Sequence, residues 1–76
     1  MTTARDATLA LLGQRAADAT ICPSEVARAL DADDWRGTMP AVHAAIDLLV
    51  AEGLVRLSWK GEMLAARAGP YRIRRA

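Results

Sequence analysis

Apolar positions along the chain repeat with a helical period in three places and then switch to a period of two. Ala4, Ala7, Thr8, Leu11 and Leu12 fall on one stripe, with Leu9 beside it. That spacing predicts a first helix over residues 4–16. Thr2 or Thr3 can cap it, and Asp6 lies in the first turn, where the helix dipole favours an acid. After the short connection Ala17, Asp18, Ala19, the β-branched Thr20 and Ile21 read as extended. Val26, Ala27 and Leu30 mark the buried side of a second helix that starts at Pro23. Met39, Val42, Ala45, Ile46, Leu49 and Val50 then recur at i, i+3, i+4 and i+7. They predict the longest helix, over residues 39–52, capped by Thr38, with Pro40 tolerated in its first turn and Gly53 ending it.

Beyond Gly53, Val55, Leu57 and Trp59 alternate with Arg56, Ser58 and Lys60, the pattern of a half-buried strand. Lys60 and Gly61 suit a tight turn, because glycine accepts positive φ. Glu62 to Leu64 would return antiparallel. Ala65 to Pro70 reads as a loop, and Tyr71, Arg72, Ile73 and Arg74 alternate again with Tyr71 and Ile73 inward. Three periodic segments that can be buried only together put Leu11, Val26, Val42, Ile46, Leu49 and Leu57 in one core. The order of elements is that of a winged helix-turn-helix: an α+β domain of three helices followed by a C-terminal antiparallel β-hairpin wing.

The second helix opens on the only cysteine of the chain, in ICPSEVARAL. Proline drives the residue before it into an extended conformation, which is the conformation an N-cap needs. Pro23 at the first helical position loses nothing, since its missing N–H would have had no intrahelical partner. Glu25 stands three residues after Cys22, where a capping-box glutamate reaches back. A nucleophilic thiol is the competing reading, but it needs an activating base, and the one histidine, His43, is far away in sequence. The capping reading of Cys22 is the better one. Trp35 is read in the same way, as packing a helix junction rather than stacking on a ligand.

Composition narrows the class. The 76 residues form one small domain, spanning residues 1–76, that buries only about 60% of its unfolded surface and has little room to enclose an active site. One cysteine permits no internal disulfide and no structural zinc set, so no metal or cofactor is expected. Neither a leader pattern nor an apolar run long enough to span a membrane stands out, and a cytoplasmic location is the expectation. Charge is uneven. Residues 1–53 hold four arginines against eight acids, whereas residues 54–76 hold five arginines and Lys60 against Glu62 alone. Such asymmetry suits a polyanionic partner. It equally suits an edge strand kept soluble by arginine.

The stretches ICPSEVARAL, WRGTMPAVHAAI, EGLV…WKG and GPYRIRR resemble a group of small bacterial proteins known only as a domain of unknown function. The resemblance runs from Ile21 to Arg75 and implies the winged-helix fold and a bacterial source, with no activity attached. Those relatives tend to carry arginine where this chain has His43, and further basic residues where Asp47 stands. The outward positions of the third helix would be Pro40, Ala44, Asp47, Leu48 and Ala51. None is a side chain that reads base edges bidentately, and Asp47 would repel phosphates. The wing differs, because its outer face would present Arg56, Ser58, Lys60, Arg72 and Arg74. With Arg36 in the link before the third helix and Arg75 at the end of the basic run, these cations make the candidate nucleic-acid-binding set. The expectation is weak, phosphate-directed binding of double-stranded DNA. The alternative is a protein-interaction or homodimerisation module using Ala44, Leu48 and Ala51. An enzyme is not expected, nor a small-molecule substrate, since no carboxylate pair, Cys/His couple or phosphate-cradling loop is present.

Overall fold

A computed structural model describes residues 2–76. Helix α1 spans Ala4–Gly13, α2 spans Pro23–Leu30 and α3 spans Trp35–Ala51. Strands β1 (Val55–Trp59), β2 (Glu62–Leu64) and β3 (Arg72–Arg75) follow. They form one antiparallel sheet in the order β2-β1-β3, an α+β arrangement with helices on one face of the sheet. Among the described residues no helix is long and apolar enough to cross a membrane.

Thr3 caps α1 through a full capping box: its hydroxyl accepts from the Asp6 N–H at 3.1 Å and the Asp6 carboxylate accepts from the Thr3 N–H. The helix stops three residues short of the expected end. The Gln14 and Arg15 N–H groups fall back on Leu11 and Leu12 carbonyls, which tightens the last turn. The guanidinium of Arg75, sixty residues on, then binds the Leu12 and Arg15 carbonyls, at 2.6 Å and 2.8 Å. A cation at a helix C-terminus satisfies orphan carbonyls and opposes the dipole. The buried stripe is also rotated from the expected one: Ala7, Thr8 and Leu12 are buried, while Leu11 packs at the edge of the core. Thr8 can be fully buried because its hydroxyl donates to the Ala4 carbonyl one turn back.

Cys22 is the N-cap of α2, in the extended conformation, and its N–H donates to the Glu25 carboxylate at 2.7 Å. Its sulfur makes no capping bond and lies instead 3.1 Å from the Ser24 hydroxyl, as a poor acceptor would. The glutamate half of the capping box therefore does the work. Helix α3 begins four residues earlier than expected. Asp34, not Thr38, is its N-cap, accepting from the Gly37 N–H, while the Thr38 hydroxyl donates to the Asp34 carbonyl. A side chain at Gly37 would place its Cβ 2.5 Å from the capping carboxylate, so glycine leaves the cap its room. Pro40 consequently sits in the second helical turn, where it cannot donate to the Arg36 carbonyl.

Gly53, at φ 75°, ends α3 in a Schellman motif: the Gly53 N–H bonds the Val50 carbonyl and the Leu54 N–H that of Leu49. Lys60 and Gly61 both have positive φ, 51° and 83°, the signature of a type I′ hairpin turn between β1 and β2. Leu57 faces Leu64 on one side and Ile73 on the other, which sets the register of the buried face. Ile21 adds a one-residue bridge to Ile73, with both backbone bonds made at 2.8 Å and 2.9 Å. Val26, Val42, Ile46, Leu49 and Leu57 join Ile21, Ile73 and Tyr71 in one core, as the periodicity implies. Trp59 does not join it. The expected inward tryptophan stands at the hairpin tip opposite Glu62 and remains 39% exposed, because the strand outruns the core beneath it.

Candidate nucleic-acid interface

What each cation touches separates structural arginines from free ones. Arg5 pairs with Glu52 and Arg15 with Glu25. Arg28 and Arg36 both lie over the Trp35 ring, at 4.5 Å and 4.4 Å from its centroid, so Arg36 is exposed but stacked at the α2–α3 junction. Arg72, expected on the open wing face, donates instead to the Thr20 hydroxyl at 2.7 Å and to the Thr20 carbonyl. Arg75 is committed to the end of α1. Both donate to the segment that joins α1 to α2, so these two members of the set hold the fold together, with the Nε and Nη2 side of each guanidinium engaged.

Arg56, Lys60 and Arg74 remain. None forms an ion pair or a side-chain hydrogen bond among the described residues. Arg56 and Arg74 are direct cross-strand partners on the outer face of β1 and β3, and Ser58 pairs with Arg72 beside them. Like charges placed opposite each other destabilise a sheet. Lys60 extends the same basic edge at the hairpin turn.

Beyond Arg36 in its first turn, the outer face of α3 is apolar apart from one charge. Pro40, Ala44, Leu48 and Ala51 are exposed, Leu48 to 64%. Asp47 does not stand bare on this face as the sequence suggests. Arg67, from the loop between β2 and β3, clamps it through two bonds of 3.0 Å, Nε to Oδ1 and Nη2 to Oδ2. Those bonds hold the Asp47 carboxyl below the ordinary carboxylate range. Asp47, Val50, Leu57, Ala65, Ala66 and Arg67 line an open cleft between α3 and that loop. One turn earlier, His43 Nδ1 lies 2.6 Å from the Tyr71 hydroxyl. Burial, then the nearby Arg67 charge, lowers the His43 pKa, which favours the neutral imidazole in this hydrogen bond.

Burial is also the main cause that pushes Tyr71 up to about 12. Its folded pKa exceeds the ordinary value of 10, so the phenol contributes stability at neutral pH that is lost as pH rises from 10 towards 12. Tyr71 is the only tyrosine, which makes the test clean. The phenolate absorbance of the folded protein should titrate near pH 12, or appear abruptly with unfolding above pH 10. A smooth midpoint at pH 10 with the fold intact would contradict the buried pair.

Arg67 is the side chain that sequence reasoning missed. The loop carries no periodicity, and only its neighbour across the fold, twenty residues back, gives it a role. Among the described residues no three His, Cys, Asp or Glu side chains gather as metal ligands. Residues 2–76 match the model of a family described as "Protein of unknown function (DUF3253)". No curated protein matches the sequence.

Proposed function

The chain belongs to the DUF3253 family, and from the geometry of its sheet we propose a winged helix-turn-helix protein that binds double-stranded DNA mainly through phosphates. Helices α2 and α3 would be the helix-turn-helix. Ile21 supports this reading by adding to the sheet beside β3, between the first two helices, as does the hairpin that follows α3. The observation that carries the reading is the pair Arg56 and Arg74, face to face with Lys60 nearby and no acid to neutralise them. A phosphate backbone offers the missing counter-charge. The role is binding rather than catalysis, in the cytoplasm of a bacterium. Titration of wild-type protein with random duplex DNA at several salt concentrations tests it. Three phosphate contacts give a log–log salt slope of roughly −3, at about −0.9 per contact. No binding at low salt would end this reading.

A second reading rests on Leu48, the most exposed of the large apolar side chains among the described residues at 64%, with Ala44 and Ala51 alongside. It makes α3 a dimerisation or partner-binding face. Sedimentation at rising concentration separates the two: a dimer abolished by Leu48→Ser favours contact through α3, and a monomer throughout argues against self-association.

A further inference from the structure

Arg67 is oriented as well as paired. Asp47 occupies Nε–H and one Nη2–H, the side-on pair of the guanidinium. Both Nη1 hydrogens and the second Nη2 hydrogen are left, and that Nη2 hydrogen with one of the Nη1 pair forms a second parallel fork at the far end. The side chain is 35% exposed, and no other hydrogen bond of Arg67 forms among the described residues. Around it Pro40, Ala44, Leu48 and Ala51 are short or apolar groups that carry no side-chain donors, and the one other cation of this α3 face, Arg36, lies at the far N-terminal end, stacked on Trp35. A helix face so trimmed can lie close to the floor of a groove, with one fixed fork projecting from it.

Resting on the DNA-binding reading above, we propose that Arg67, held by Asp47, is the base-reading side chain of this protein and selects guanine in the major groove. Guanine presents O6 and N7 there, two adjacent acceptors that match the end-on fork of an arginine. An ammonium cannot reproduce that geometry, and a phosphate contact would not need the fork held rigid. A salt bridge that merely tethers the loop would be worth about 0–1 kcal/mol and would have no influence on base choice. The arrangement also supplies from the wing loop a planar donor that the middle of α3 lacks.

Sequencing the bound fraction of a randomised duplex reads the effect directly. Wild type should enrich guanine at one position by roughly 5- to 150-fold, the range of one bidentate pair. Arg67→Lys keeps the charge and should keep the salt slope while flattening that position. Asp47→Asn removes the anchor and should blunt the preference, with binding retained. Unbiased sequences from a wild type that binds with the expected salt slope would overturn the base-reading role and leave phosphate binding standing. Equal enrichment by Arg67→Lys would overturn it as well. No binding by wild type at low salt overturns both. Melting temperatures of the variants guard against misfolding, and Arg67→Gln, which retains a planar donor group without charge, gives a second route if Asp47→Asn unfolds.

Discussion

An Ile46→Ala variant should lose about 2–5 kcal/mol of stability, the usual cost of deleting a large aliphatic side chain from a closed core. Ile46 is 0% exposed and lies between Val42 and Leu49 on the face of α3 that meets the rest of the core. Proteins hold about 0.05–0.15 kcal/mol per residue, so a domain of this size has roughly 4–11 kcal/mol in total. One substitution therefore removes a large fraction of the stability. In urea the midpoint should fall sharply with the m-value unchanged, and Ile46→Val should cost only about 0.5–1.5 kcal/mol. A loss below about 1 kcal/mol for alanine would mean that α3 does not face the core as described.

The double variant Arg56→Ala/Arg74→Ala should behave in the opposite manner, keeping the fold and losing DNA. Removing two of three phosphate contacts takes the salt slope from roughly −3 to about −1 and weakens binding evenly across sequences. Stability should stay level or rise by about 0.2–1 kcal/mol, since two like charges no longer face each other across the ladder. Arg75→Ala is the control. Its charged hydrogen bonds to the Leu12 and Arg15 carbonyls should cost about 1.5–3 kcal/mol when lost, with little change in slope. If Arg75→Ala flattened the slope while Arg56→Ala/Arg74→Ala did not, the division into structural and free arginines would be wrong. Asp47→Arg should strengthen overall binding by exchanging an acid for a cation, while it removes the anchor of Arg67 and with it any base preference.

The three helical stripes and the alternation after Gly53 were legible because they depend only on local period and on residues with distinct backbone needs. Gly53, Gly61 and Pro23 each mark a boundary by their own φ or missing donor. The first turn of α3 was not legible, because WRGT carries no apolar stripe and its cap, Asp34, is one acid among several in the turn. Leu11 and Leu12 are adjacent leucines, and a one-residue rotation of α1 exchanges which of them is buried. The arginines were least legible. A guanidinium facing solvent and one bonded to a carbonyl sixty residues away look the same in sequence, so Arg72 and Arg75 cannot be told there from Arg56 and Arg74. Arg67 is hidden in sequence for the same reason.

The bridge between Ile21 and Ile73 has a kinetic meaning. It joins positions 52 apart in the chain, whereas the helices and the β1–β2 hairpin close over short distances. Closing so long a loop loses entropy before any contact is gained, so β3 should dock after the local elements have formed. Ile73→Val should then leave the folding arm of a chevron nearly unmoved and speed the unfolding arm. A slowed folding arm would put β3 in the nucleus instead. Late docking also makes departure of β3 the first step of unfolding, and with it go the Arg75 bonds that close α1 and the Arg72 bonds to Thr20. The lifetime of the native state would be governed by a single four-residue strand.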